Sequence, residues 1–287
     1  MTTVAEVFEQ RELPVSFEIF PPKGDLTLDA ARAVAGEIAH EKPGFISVTC
    51  SAGGSGNAQA TPAIAAMIAD ELNTTSVAHL TCINATRASI SDAVADMRSR
   101  GVENVLALRG DVVAGREPSE DFRHAKDLVP VLRDAGFCVG AAAYPEGHIA
   151  CESERENVEH LKMKQDAGAQ FFVTQLCFDN ERIYRFMDAA DRAGITAPVT
   201  YGIMPFMSKE QISRMVFMCG ASLPSAIVKI LAKYEDDPAA LRQAGVEYAC
   251  GQLVELGRHG ARGLHVYCMN KPDVARAAMA AVRGAGL

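Results

Sequence analysis

Glu18 is a carboxylate inside an otherwise apolar run, residues 15–20. A carboxyl group in such a run is partly desolvated, which suits a general acid working near neutral pH. A glutamate that faces solvent or forms a structural ion pair is the alternative interpretation. The run therefore predicts a candidate proton donor, whose role depends on the polar groups beside it.

The tripeptide Arg109-Gly110-Asp111 places opposite charges on either side of a glycine. Glycine permits close approach of the backbone to a ligand, so the tripeptide is a candidate binding element. A polar turn with a local salt bridge is the alternative. Residues 52–56 are glycine-rich and are a candidate phosphate cradle, but they lack the G-x-G-x-x-G spacing and the Walker lysine. A flexible connection is the alternative there.

Short runs rich in strand-forming residues recur along the chain, and each is followed by a helical pattern. Most of the runs are nearly continuous in apolar residues, as expected of parallel strands buried on both faces. Successive runs begin about 30 residues apart, which is the length of one βα unit. The predicted strands are residues 15–20, 45–50, 77–83, 105–108, 139–144, 171–178, 199–204 and 264–269.

Eight such units in 287 residues favour an α/β fold of the (β/α)8 TIM-barrel type. The interval between strands 7 and 8 contains extra helices, predicted at residues 208–219 and 226–232 ahead of a long helix at 238–259. A doubly wound open sheet is the alternative fold. Because no linker or charge run divides the chain, we predict a single catalytic barrel domain over residues 1–287.

Polar residues collect where the predicted strands end. In a TIM barrel the active site lies at the carboxyl ends of the strands, so these side chains are expected to meet at one rim. The turns that lead into the strands contain only Gly or Pro as turn residues. This difference between the two ends of the strands predicts an enzyme. The rim residues are Glu18, Thr49, His79, Arg109, Asp111, Tyr144, His148, Gln175, Tyr201, Tyr267 and Lys271.

Composition excludes several other function classes. A net charge of −8 and the absence of Trp argue against a nucleic-acid partner. The N-terminus lacks a basic segment followed by an apolar one, and the longest uncharged stretch, residues 43–69, is rich in polar residues. We therefore predict a cytoplasmic protein without a membrane partner. The eight cysteines have no zinc-binding spacing, so we expect reduced thiols and no metal site.

The ordered set of motifs resembles the bacterial type of methylenetetrahydrofolate reductase, specifically its catalytic barrel. Each motif is weak alone, but the set runs in family order across most of the chain. The motifs are Ser16-Phe17-Glu18, residues 20–23, residues 45–49, residues 79–82, residues 107–111, residues 143–148, residues 164–168, Thr174-Gln175, residues 202–205 and residues 265–271.

The resemblance implies an oxidoreductase that holds FAD at the barrel mouth. Such an enzyme reduces 5,10-methylenetetrahydrofolate to 5-methyltetrahydrofolate with NADH or NADPH, by ping-pong hydride transfer, for one-carbon metabolism and methionine supply. It implies that Glu18 protonates N10 of the folate, and that Asp111 lies between flavin and folate and hydrogen-bonds the pterin. Folate and the pyridine nucleotide are the implied small-molecule partners, and a homo-oligomer is expected.

The resemblance also implies the residues that bind each ligand. The implied substrate-binding residues are Gln175, Lys229, Leu231 and Lys271. The implied cofactor-binding residues are Thr49, His79, Arg109, Gly110, Asp111, Tyr144, His148, Asn157, His160 and Lys164. The sequence departs from the family pattern at Leu231, where an aromatic residue can stack, at Lys229, which replaces a neutral amide, and at Met163, which replaces a basic residue.

Functions of other classes remain open from the sequence. One is a flavin-free member of the same family, and another is a different pterin-binding barrel enzyme such as a methyl or aldol transferase. A Schiff-base aldolase needs a lysine within a strand end, whereas Lys23 and Lys271 lie in loops after strands. A non-catalytic subunit that has kept the fold is a further alternative, against which Glu18, Asp111 and Gln175 argue.

Overall fold

Eight parallel strands close into a barrel in the computed structural model, which describes residues 2–21, 28–50, 60–112, 115, 117–149, 151 and 153–287. Lys23 and the glycine-rich residues 52–56 lie outside this range. The strands are β1 (Val15–Ile19), β2 (Ile46–Val48), β3 (Ser76–Thr81), β4 (Asn104–Leu108), β5 (Cys138–Ala143), β6 (Phe171–Thr174), β7 (Val199–Ile203) and β8 (Leu264–Val266).

Closure of the barrel decides between the two predicted folds. Strand β1 pairs in parallel with β2 on one side and with β8 on the other, where Ser16 lies opposite His265. An open sheet would leave β1 or β8 at an edge, so the doubly wound alternative is wrong and the TIM-barrel prediction is confirmed.

Helices alternate with these strands. Between β7 and β8 the extra helices lie within one residue of their predicted bounds, and they precede the long helix α10. The helices are α1 (Val4–Gln10), α2 (Leu28–Ala39), α3 (Ala60–Leu72), α4 (Arg87–Ser99), α5 (Ala125–Asp134), α6 (Glu154–Ala167), α7 (Asn180–Arg192), α8 (Lys209–Cys219), α9 (Ser225–Lys233), α10 (Pro238–Arg258) and α11 (Pro272–Gly284).

The apolar run of the sixth strand is longer than the strand itself. Residues 171–178 were expected to be extended, but β6 ends at Thr174. Leu176 and Phe178 remain buried because they pack in a separate apolar cluster with Phe206 and Ile227, which belong to the excursion between β7 and β8. The apolar character of Leu176 and Phe178 therefore reflects their burial beneath the extra helices rather than membership of a strand.

Helix α1, which the strand pattern did not predict, covers the amino-terminal end of the barrel. Val4 and Phe8 from this helix pack against Phe45 and Phe171 in a buried cluster. The backbone N–H of Val4 also donates to Oδ1 of Asn104 at 2.8 Å. The opposite, carboxyl end of the barrel carries the polar residues. Within the described residues, no helix combines the length and apolar character needed to traverse a bilayer.

Candidate active site

Glu18 lies near the end of β1 and is the one position of that strand that is not fully buried. Its side chain is 19% exposed, and its Oε2 lies 3.7 Å from Nε2 of His79 and 3.8 Å from Nε2 of His265. The first imidazole comes from β3 and the second from β8. The carboxylate therefore sits between two buried rings on the active-site rim.

The His79 imidazole is neutral at pH 7. Burial lowers its pKa to about 4, against the opposing effect of the Glu18 carboxylate. Its Nε2 atom is buried and has no hydrogen-bond partner among the described residues. Glu18 thus meets a neutral hydrogen-bonding group at this position rather than a cation.

Ser16 holds the ring of His265 from the neighbouring strand β1. The Ser16 hydroxyl donates to the carbonyl of Leu264 at 3.1 Å, and Oγ lies 2.8 Å from Nδ1 of His265. Either atom of the Oγ–Nδ1 contact can carry the hydrogen, depending on the tautomer of the ring. The other ring nitrogen, Nε2, faces Glu18.

Tyr267 connects β8 to the end of β6. Its hydroxyl donates to the carbonyl oxygen of Thr174 at 2.6 Å. Burial raises the Tyr267 pKa well above its usual value, with the Glu18 carboxylate adding to the effect, so the phenol stays protonated. Gly202 on β7 makes room for this contact, since a Cβ there would lie 2.6 Å from Cε2 of Tyr267.

Gln175, a predicted substrate-binding residue, directly follows Thr174 at the end of β6. Its Oε1 accepts from the Leu176 N–H at 2.9 Å.

A cavity of about 400 Å³ opens beyond the ends of β4 and β5, beside α5 and α6. Basic side chains predominate in its wall, whereas Glu156 is the only carboxylate among the lining residues described. The lining residues are Leu108, Arg109, His124, Ala125, Lys126, Ala142, Tyr144, His148, Cys151, Glu156, Asn157, His160 and Lys164. This lining suits an anionic small molecule.

Helix α6 contributes the anchored part of this wall. Lys164 Nζ donates to the Ala142 carbonyl at 2.7 Å, and the Asn157 amide donates to the Tyr144 carbonyl at 2.7 Å. Burial of its amino group lowers the Lys164 pKa to about 8, and burial also lowers the pKa of His148. Because burial disfavours the charged forms of these two groups, a bound phosphate would raise their pKa values again.

Gly110 has a left-handed backbone with a φ of 84°, and a Cβ there would lie 3.1 Å from Cβ of Thr81. The close approach that the glycine permits is thus to β3. The Arg109 Nε donates to the carbonyl of Gly110 at 3.2 Å, and Asp111 is exposed beyond it. Asp111 contributes to raising the Tyr144 pKa, which places its charge near the cavity.

The remaining predicted residues lie neither beside Glu18 nor in the described lining of the cavity. Thr49 is half-buried after β2, where its carbonyl accepts from the Thr61 hydroxyl at 2.9 Å. Lys229 and Lys271 are exposed. Leu231 packs against the apolar cluster of the β7–β8 excursion. Met163 is 47% exposed on α6 and is absent from the described lining of the cavity.

Sequence reasoning did not assign roles to several site residues. His265 and Tyr267 are two positions apart, so the alternation of a strand would have placed both on one face. His124 and Lys126 reach the cavity from the start of α5, and no motif marks them. Glu146 was named in a motif without a role; its Oε2 accepts from the Ser222 N–H at 3.1 Å and joins the β5–α6 loop to the β7–β8 excursion.

The closed barrel, the carboxylate between two imidazoles and the basic cavity together define a TIM-barrel protein with a candidate active site at its carboxyl rim. The profile of the family described as "Methylenetetrahydrofolate reductase" matches residues 3–282. The chain therefore belongs to the methylenetetrahydrofolate reductase family, as its motifs predicted.

Two relatives show how the chain compares with whole family members. It is 32% identical over 276 residues to "5,10-methylenetetrahydrofolate reductase" of Escherichia coli, covering 96% of this chain and 92% of that one. It is 34% identical over 271 residues to "Methylenetetrahydrofolate reductase 1" of Schizosaccharomyces pombe, covering 91% of this chain but only 44% of that one.

A solved structure supports the fold at low sequence identity. It is an uncharacterized protein from Clostridium thermocellum that binds two copies of 5-methyl-5,6,7,8-tetrahydrofolic acid. The TM-score is 0.67 at 13% identity, with 97% of each chain covered. At this identity the likeness concerns the fold alone.

Proposed function

We propose that this protein reduces 5,10-methylenetetrahydrofolate to 5-methyltetrahydrofolate in a flavin-dependent reaction with NADH or NADPH. Family membership supports the reaction class. The observation that carries the proposal is the position of Glu18, at the carboxyl rim and 3.7–3.8 Å from the His79 and His265 rings. A proton donor at this place is what opening of the folate five-membered ring requires.

The described cavity fits FAD as the cofactor. Its volume of about 400 Å³ lies within the range of small-molecule sites, and its basic lining suits the pyrophosphate. Arg109, His148 and Lys164 would meet the phosphates, while Asn157 and His160 would hold the adenosine half. When bound, the flavin supplies the hydride-transfer chemistry.

The buried rings around Glu18 form the surroundings of the proton donor. Glu18 delivers a proton to N10 of the folate, and general acid catalysis of this kind contributes about 10²–10⁴ in rate. Nε2 of His265 lies 3.8 Å from Oε2 of Glu18, so the buried ring borders the carboxyl group on the side of β8. Because His79 is neutral at pH 7, it adds no competing positive charge next to the donor.

The other predicted residues complete the substrate site in this proposal. Asp111 and Gln175 bind the pterin, and Lys271 meets the glutamate tail of the folate. Thr49 and Gly110 border the flavin, and the barrel acts as one catalytic domain, assembled as a homo-oligomer. Lys229 and Leu231 lie on α9 and would contact the nicotinamide or the pterin once these ligands are bound.

The first test of the proposal is cofactor content. Protein purified with excess FAD should be yellow, and anaerobic NADH or NADPH should bleach the flavin absorption band. Subsequent 5,10-methylenetetrahydrofolate should restore the band with formation of 5-methyltetrahydrofolate. Protein that binds no FAD would overturn the proposal, and folate reduction by that protein would identify a flavin-free enzyme.

A further inference from the structure

Three potential metal ligands meet at the mouth of the cavity although the sequence shows no zinc-binding spacing. Cys151 precedes α6, and Glu156 and His160 lie four residues apart on one face of that helix. One ligand atom from each residue lies within 4.8 Å of the other two, and all three side chains are half-buried. The cluster is thus accessible from solvent and formed before any ion arrives.

The closest pair already has the spacing of zinc ligands. Cys151 Sγ lies 3.5 Å from Nδ1 of His160. Zinc binds thiolate sulfur at about 2.3 Å and imidazole nitrogen at about 2.0–2.1 Å, so a tetrahedral angle places the two ligand atoms roughly 3.5 Å apart. The separation of this pair is therefore that of two ligands sharing one zinc ion.

Glu156 supplies the third ligand from a side chain that is 39% exposed. One of its carboxylate oxygens lies within 4.8 Å of the ligand atoms of Cys151 and His160, so the carboxylate needs only a small shift to share an ion with them. A thiolate and a carboxylate together neutralise a dication, and the imidazole binds as the neutral ring. The donor set is sulfur, nitrogen and oxygen, which suits zinc and excludes calcium and magnesium.

We propose that Cys151, Glu156 and His160 form a binding site for a thiophilic divalent cation, Zn²⁺ above all, with a fourth coordination position open to the cavity. Three protein ligands with one open position are typical of zinc sites that bind a further small ligand, whereas closed structural sites have four protein ligands. The positive charge of the neighbouring Lys164 repels a bound metal ion, which also favours reversible binding. The half-buried side chains leave this site open to exchange with solvent.

Occupancy of this site has a direct consequence for the cavity. All three ligands line the space that also contains Asn157 and Lys164. A metal there engages the His160 ring and covers part of the basic wall. Resting on the proposed function, we infer that Zn²⁺ and FAD compete for this protein.

Cobalt substitution tests the site without any flavin. Flavin-free protein titrated with Co²⁺ should develop a thiolate-to-cobalt charge-transfer band at one equivalent, and Zn²⁺ should remove it. Cys151→Ser should abolish the band, and His160→Gln should weaken Co²⁺ binding by at least about tenfold. Cys219→Ser is the matched control and should keep the band, since Cys219 is also half-buried but belongs to no such ligand cluster among the described residues.

A second measurement uses the unaltered chain, in case a variant fails to fold. Zn²⁺ should protect Cys151 from alkylation by iodoacetamide, read by mass spectrometry, while Cys219 reacts at an unchanged rate. A charge-transfer band that survives Cys151→Ser, or equal protection of both cysteines, would overturn the site.

A separate titration distinguishes this proposal from the proposed function. Added Zn²⁺ should raise the apparent Kd for FAD in the parent protein and leave it unchanged in Cys151→Ser. If FAD fails to bind even without metal, the proposed function is wrong while the cobalt result stands. If Zn²⁺ binds and the FAD affinity does not change, the competition is wrong.

Discussion

The Oε2 atom of Glu18 lies 3.7 Å from Nε2 of His79, with strand β2 between the strands that carry them. The side chains therefore meet over the inside of the barrel rather than between paired neighbours. This arrangement places a carboxyl group against a neutral, buried ring at the rim. The site chemistry thus depends on the curvature that closes the sheet.

Replacing Glu18 by Gln separates the two halves of the proposed reaction. The amide keeps the size of the side chain but cannot donate a proton as an acid. We expect flavin reduction by NADH to survive, and folate reduction to fall by about 10²–10⁴. Anaerobic stopped-flow spectroscopy measures both half-reactions. An equal loss in both would mean that Glu18 has a structural role only.

The buried His79 predicts a loss of stability in acid. Its pKa is lowered to about 4 in the folded protein, whereas an exposed histidine titrates near 6.5, so the unfolded chain binds the extra proton first. The stabilisation is complete above pH 6.5 and is lost as the pH falls towards 4, by up to roughly 3 kcal/mol. Urea unfolding at several pH values in this interval measures the effect.

A matched pair of variants isolates this contribution. His79→Gln removes the titrating group and should flatten the pH dependence of the free energy of unfolding between pH 6.5 and 4. His40→Gln changes an exposed histidine and should leave the parent slope intact. Parallel slopes for the parent and His79→Gln would contradict the pKa shift.

Lys164 predicts a pH dependence of cofactor binding. Its pKa of about 8 means that the ammonium charge is lost as the pH rises through 8, so FAD affinity should fall between pH 7 and 9. Lys164→Met should weaken FAD binding at pH 7 by about tenfold to a hundredfold, the value of a charge-assisted hydrogen bond. The FAD affinity of Lys164→Met should also vary less with pH than that of the parent protein.

Fluorescence quenching of FAD gives the Kd at each pH, with Lys162→Met as the control. Lys162 lies on the same helix but pairs with Asp166 outside the cavity. The Lys162→Met variant should bind FAD with the same Kd as the parent protein. A parent-like pH profile in Lys164→Met would show that Lys164 does not contact the cofactor.

Gly202→Ala tests the packing that holds Tyr267 in place. The new Cβ would lie 2.5 Å from the Thr174 carbonyl oxygen and 2.6 Å from the Tyr267 ring, so the phenol must move and its hydrogen bond is lost. We expect a loss of about 1–3 kcal/mol in the free energy of unfolding. Chemical denaturation measures it.

Gly36→Ala is the control, because a Cβ at that position of α2 meets nothing within 4 Å. It should raise stability by up to about 1 kcal/mol through helix propensity. Equal effects of the two substitutions would show that Tyr267 adapts without cost.

The sequence by itself determined the order and type of the elements, because apolar runs and helix caps are local signals. Asp179 precedes a helical apolar pattern, as is typical of a cap, and its side chain accepts from the Glu181 N–H at the start of α7. Thr61 before Pro62 has the pattern of a cap as well, but α3 begins at Ala60 and the Thr61 hydroxyl donates to the Thr49 carbonyl instead. Caps were thus predictable to within a residue or so, and the barrel followed from the βα repeat.

Only the tertiary structure decided which side chains face one another and with what charge. Registers between distant strands place His265 opposite Ser16 and bring His79 to Glu18, and neither register is a property of a local segment. The low pKa of His79 arises from burial by the closed barrel. In the same way, Cys151 and His160 become candidate metal ligands because the start of α6 folds against the chain before it, a contact that residue spacing alone does not encode.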